Sequence, residues 1–110
     1  MLKMDLEYNK KILFVKLDGV LNRATSYKVN NYLVPIILKH KVKYLVYNLS
    51  LVTDIDETGI DAILNTKSAI LENEGKIYLC DVNNSINKKI HKLHIKKEES
   101  EQSILKFIGA

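Results

Sequence analysis

Thr53-Asp54-Ile55-Asp56-Glu57-Thr58-Gly59-Ile60 lies where an apolar run ends and a helical pattern begins, and the reading of that junction decides the fold. Upstream, Val42-Lys-Tyr-Leu-Val-Tyr-Asn-Leu49 is rich in β-branched and aromatic residues, the composition of a buried strand. Downstream, Ile60, Ile63, Leu64, Ile70 and Leu71 recur at spacings that share one side of a helix, with Lys67, Glu72 and Glu74 elsewhere on its surface. Asp56 stands where a side-chain oxygen accepts from the first free N–H groups of that helix. Glu57 comes next, where the helix dipole favours a negative charge. The junction therefore predicts strand, acidic loop and helix in immediate succession.

Outward from this centre, Glu74-Gly75 closes the helix, and Lys76 to Asp81 reads as a further strand, too close to the helix for anything but a short connection. Strand, helix and strand then form a right-handed parallel crossover. On the N-terminal side, Asp5–Tyr8 and Ile12–Leu17 flank a hairpin turn at Asn9-Lys-Lys11, and Asp18-Gly19 ends the second strand. Thr25 or Ser26 caps a helix carrying Tyr27, Leu33, Ile36 and Ile37, which Pro35 is expected to kink or divide. Beyond Asp81, Asn83-Asn84-Ser85 caps a third helix with Ile86, Ile90 and Leu93, and a last helix carries Ile104, Leu105, Phe107 and Ile108. The order gives a single α/β domain over residues 1–110, with a mainly parallel sheet of four to five strands and about four helices.

Composition narrows the function classes. The chain has 110 residues, 46% of them hydrophobic, enough for one continuous core. No apolar stretch approaches a membrane span and the start lacks a signal peptide's apolar run, so a soluble cytoplasmic protein without membrane insertion is expected. Cys80, the one cysteine, sits in the apolar run Ile77-Tyr-Leu-Cys80 and reads as a buried thiol. Of 17 basic residues, only Arg23 is arginine, and the lysines are scattered apart from a modest concentration at Lys88–Lys97. Base readout and bidentate phosphate recognition favour arginine, so the net charge of +4 reads as a lysine-rich solvated surface rather than a site for nucleic acid or anionic lipid.

Catalytic patterns are sparse. Asp54-x-Asp56-x-Thr58 resembles the motif of haloacid-dehalogenase-like phosphotransferases, in which the first aspartate attacks phosphorus and the second is acid/base beside magnesium. Helix capping accounts for the same residues, and the chain has little room for that family's remaining parts. His91-x-x-His94 could share a helical face, but lysines surround the pair and no third metal ligand is indicated. Glycines at 19, 59, 75 and 109 cannot spell a dinucleotide fingerprint or a P-loop, and no cofactor is expected.

Four segments in order carry a wider resemblance: Gly19-Val-Leu-Asn22, Leu45-Val-Tyr-Asn-Leu49, Asp56-Glu-Thr-Gly-Ile60 and Gly75-Lys-Ile-Tyr-Leu-Cys-Asp-Val82. Together they resemble a STAS domain, in particular the stand-alone bacterial anti-sigma factor antagonists, over nearly the whole chain. The resemblance implies a non-catalytic, partner-switching regulator. Its protein partner would be an anti-sigma factor of the histidine-kinase-like ATPase type, which phosphorylates a serine or threonine directly after the aspartate; a weak homodimer is a further option. Matched by position, Asp56, Thr58 and Gly59 keep the pattern, and the phospho-acceptor position is Glu57.

Glutamate cannot be phosphorylated by such a kinase, and one carboxylate supplies less charge and fewer acceptors than a phosphate. Three readings stay open: constitutive partner binding, a weakly binding state that imitates phosphorylation, or a scaffold role in a stressosome, lipid-transport or transporter-associated assembly. A fourth is that Glu57 only starts the helix. Asn22 replaces an aspartate usual in the facing loop, and the short segment from Leu93 to Glu98 leaves a fifth strand or final turn in doubt. The expected partner surface comprises Asn22, Arg23, Asp56, Glu57, Thr58, Gly59 and Ile60. The reading from another class is a magnesium-dependent phosphotransferase using Asp54 and Asp56.

Overall fold

The computed structural model describes residues 1–108, apart from the side chain of Phe107; that residue's expected place on the last helix and Gly109 lie outside the described residues. Five strands form one sheet in the order β1 (Lys3–Asn9), β2 (Ile12–Leu21), β3 (Tyr44–Ile55), β4 (Lys76–Cys80) and β5 (Lys96–Glu98). The β1–β2 hairpin is antiparallel and the other three pairings are parallel. Helices α1 (Ser26–Lys39) and α2 (Glu57–Glu72) cover one face, where Val15, Leu17, Leu33, Ile37, Leu45, Leu49, Ile63 and Leu79 are fully buried. On the other face Ile12, Val46, Tyr78 and Cys80 pack with Ile104 of α3 (Glu101–Ile108). Strand residues alternate between the two cores because successive side chains point to opposite sides of a sheet.

Several boundaries differ from the sequence reading, each for a physical reason. The second strand does not end at Asp18-Gly19. It shifts register there and continues to Leu21, with Gly19 at φ +122, a conformation open to glycine; a Cβ would run into the backbone carbonyl of Met1. β3 likewise runs past Leu49 to Ile55, reducing the acidic loop to Asp56 alone. Its first half pairs on both sides, but beyond Asn48 only β2 is hydrogen-bonded to it as a strand. There the segment after β4 clasps its free side: the Asn83 backbone N–H donates to the Leu49 carbonyl, the Asn83 amide to that of Ser50, and the Ser85 hydroxyl to that of Thr53.

α1 runs undivided through Pro35. Pro35 and Asn31 are both exposed, so the carbonyl that the ring deprives of a partner lies on the solvent side. Tyr27 and Leu71, expected on core faces, are 54% and 56% exposed; Val29 and Ala69 take the inward positions. The third helix is replaced by two 3₁₀ turns, Asn84–Ile86 and Lys89–Leu93, so there are three α-helices rather than four among the described residues. Ile86, Ile90 and Leu93 are nevertheless buried, the tighter turns suiting a segment whose Asn and Ser side chains compete for backbone hydrogen bonds. The fifth strand is present despite the short segment before it, because three residues suffice to pair with Tyr78–Cys80.

Candidate functional site

β2 and β3 end side by side, and Asp56 joins them to α2. Its backbone N–H donates to the Leu21 carbonyl at 3.1 Å. Its side chain caps α2: Oδ1 accepts from the Gly59 N–H at 3.0 Å and from the Thr58 hydroxyl at 2.6 Å. Oδ2 accepts from the Arg23 N–H at 3.1 Å, across 33 positions of sequence. One carboxylate thus fastens the β2–α1 loop to the start of α2. The loop is shaped by Asn22, whose side-chain oxygen accepts from the Ala24 N–H, and by Thr25, whose hydroxyl donates to the Val20 carbonyl at 2.7 Å rather than capping α1. Gly59 is needed for the approach, since a Cβ would come within 2.5 Å of the Leu21 carbonyl oxygen and 2.8 Å of Ile55 Cγ1.

The seven expected site residues therefore lie at one end of the sheet, but they divide. Arg23, Asp56 and Glu57 are exposed and Asn22 and Thr58 half-buried, whereas Gly59 and Ile60 are buried and support the surface from below. The Glu57 side chain is 88% exposed and projects from the first turn of α2. Two residues outside the expected set complete the surface: Lys89 pairs with Asp54 at 2.5 Å, and Lys92 approaches Glu57 at 3.7 Å. These aspartates, glutamate and lysines, with Ile55 and Ile60, line an open depression of about 290 Å³. The only signal for the lysines in the sequence is the Lys88–Lys97 concentration, whose position over α2 depends on the turns after β4. Lys67 of α2 holds the end of those turns by donating to the carbonyls of Leu93 and His94.

Electrostatics agree with a structural role for both aspartates. The Thr58 hydroxyl, then the Gly59 N–H, hold the Asp56 carboxyl below its ordinary 3.8. The hydrogen bond from Lys89, then that from the Ile55 N–H, do the same for Asp54. Both carboxylates hold partners within the fold, and Asp81 is engaged by the Asn48 amide at 3.2 Å. A group depressed on folding contributes stability that is present above its unfolded value and lost as pH falls through the folded one. Asp56→Ala should therefore cost about 1 kcal/mol at neutral pH through the lost cap and flatten the loss of stability of the native chain below pH ~4. Thermal melts across that range check both.

His91 and His94 are both exposed. Among the described residues, the group of three potential metal-ligating side chains is instead Cys80, Asp81 and Glu101. Burial, with the neighbouring charges of Asp81 and Glu101, pushes the Cys80 thiol up to about 12, the state of an inert packed thiol. Asn48 donates to Glu101 as well as Asp81, which ties α3 to the middle of β3 and the end of β4. Among the described residues no helix is long and apolar enough to cross a membrane.

Comparison with known proteins places this geometry. Residues 3–105 match the model of the STAS domain. An anti-sigma F factor antagonist from Paenibacillus polymyxa is 26% identical over 87 residues, 79% of this chain and 74% of that protein. Among solved structures, an anti-sigma factor antagonist of Mycobacterium paratuberculosis superposes with a TM-score of 0.83 at 13% identity, covering 100% of this chain and 96% of its own. The unphosphorylated anti-sigma factor antagonist SpoIIAA gives 0.80 at 15% identity, with 98% and 100% covered.

Proposed function

The chain belongs to the STAS domain family, and from that premise we propose that it is a protein-binding regulatory module of the anti-sigma factor antagonist kind, without catalytic activity of its own. Its partner is an anti-sigma factor of the histidine-kinase-like ATPase type. The observation that carries the reading is the Asp56 carboxylate, which holds the Arg23 loop and the α2 N-terminus together as one surface from which the exposed Glu57 projects. A hydroxyl at position 57 would be open to a kinase in trans. A carboxylate there makes the site a fixed anion, so partner binding is set by the sequence rather than switched by phosphate.

The test is reconstitution with such an anti-sigma factor and ATP. The complex should form, persist on ATP addition, and yield no phosphopeptide containing residues 54–61 by mass spectrometry. Thr58 should stay unmodified as well, because its hydroxyl is offset from the acceptor position and donates to Asp56 at 2.6 Å. Stoichiometric phosphate on Thr58, or release of the complex by ATP, would show a working switch.

A further inference from the structure

The lysines that look scattered in the sequence are not scattered in the fold. β2, β3 and β4 all begin at the end of the sheet opposite Glu57, and the three connections feeding them meet there. The Lys43 N–H donates to the Lys11 carbonyl at 3.2 Å, and the Lys76 N–H to the Lys43 carbonyl at 2.8 Å, so the turns are stitched side by side. Lys10 and Lys11 come from the hairpin, Lys39, Lys41 and Lys43 from the α1–β3 connection, and Lys76 from the start of β4. Several of them, with His40, line an open depression of about 530 Å³.

Four of these lysines, Lys11, Lys39, Lys41 and Lys43, line that depression with Glu72 and Glu74, a local excess of two positive charges, while Lys10 borders a neighbouring depression that also holds Glu7 and Glu101. Backbone geometry adds to the observation. Lys10, Lys11 and Lys41 stand at φ 52, 67 and 49, left-handed positions that glycine or asparagine would occupy with less strain.

We propose that this end is a docking face for an anionic lipid bilayer surface. Lysine suits a diffuse sheet of phosphate groups, to which it acts as a point charge, whereas nucleic-acid readout favours arginine; the single Arg23 is at the far end of the molecule. The border of the patch is apolar in a way that nucleic-acid phosphates would not use: Leu38 and Leu71, in the last turns of α1 and α2, are 39% and 56% exposed, and Tyr8, 47% exposed, lies against His40. Such a rim meets the boundary between headgroups and acyl chains, where aromatic and aliphatic side chains accompany lysines. Adsorption is reversible, since a basic patch alone lacks the second anchor that stable attachment needs. It turns the Glu57 end away from the bilayer, leaving that surface open to a partner.

Co-sedimentation with vesicles tests the proposal. The full chain should bind phosphatidylcholine vesicles containing phosphatidylglycerol at low ionic strength, not pure phosphatidylcholine vesicles, and should be released by salt. Lys39→Gln/Lys41→Gln/Lys76→Gln should lower the partition coefficient about tenfold or more, from the expected contribution of each lysine near an anionic surface. Lys3→Gln/Lys88→Gln/Lys97→Gln removes the same charge from elsewhere and should leave most of the binding intact. Lys10→Gln/Lys11→Gln repeats the test at a separate turn should the first variant fold poorly by circular dichroism. Equal loss in the control variant would reduce the effect to net charge and overturn the proposal. So would undiminished binding in the two patch variants, binding to neutral vesicles, or tighter association with duplex DNA than with the anionic vesicles.

Discussion

Gly59→Ala should lower stability by about 2 kcal/mol and the melting temperature by about 10 °C, although alanine is the better helix former. The helix-propensity gain is at most about 1 kcal/mol. Against it stands the collision of the new Cβ with the Leu21 carbonyl oxygen at 2.5 Å, with Ile55 Cγ1 at 2.8 Å and with Leu21 Cγ at 2.9 Å. Overpacking of this kind costs roughly 1–3 kcal/mol, and here the obstructing atoms include backbone that cannot rotate away. Relief requires α2 to lift from the end of β2, which strains the Asp56 N–H bond to that same carbonyl. Affinity for the partner should fall along with stability. A variant as stable as the native chain would mean that α2 is seated less tightly than described.

Glu57→Ser should act in the opposite direction on binding. Replacing the projecting carboxylate with a hydroxyl removes a charge that must be desolvated or repelled at the interface, and affinity for an anti-sigma factor should rise by about 1–3 kcal/mol if the residue is central. The Lys92 approach does not cancel this charge, because a 3.7 Å pair with both side chains mostly exposed contributes only about 0–1 kcal/mol. The substitution should cost the isolated domain a few tenths of a kcal/mol to about 1 through the lost interaction with the helix dipole. Titration calorimetry with parallel melts separates the two quantities. Unchanged affinity would make Glu57 an ordinary helix-start residue, and weaker binding would make its carboxylate a direct partner contact.

The features legible in the sequence are those that local chemistry settles. Asp56 before an apolar helical pattern announces a cap, and a cap is what the structure holds. The β-branched runs of the central strands announce burial for the same reason. Features that depend on distant partners are hidden. Gly19 reads as a terminator in isolation, and becomes a bulge only because β3 continues beside it. Leu71 has the spacing of a core residue, yet the width of the buried stripe on α2 is set by what packs against it. Lys89 and Lys92 belong to the candidate site through turns whose geometry no periodicity announces, and the six lysines at the other end become neighbours only when three connections are laid side by side. The same limit applies to Arg23, whose link to Asp56 spans the first helix and third strand.

The uneven pairing of β3 has a dynamic consequence. Between Tyr44 and Asn48 the strand has a neighbour on each side, and opening it there means breaking the centre of the sheet. From Leu49 to Ile55 it is paired as a strand on one side, with the clasp from Asn83 and Ser85 on the other. Amide hydrogen exchange is governed by the cost of the smallest opening that frees a given N–H. Amides near the Asp56 junction therefore belong to a unit that opens at lower free energy than the global one. The domain thus combines a stiff centre with a more yielding end, and that end carries the surface proposed to meet a partner.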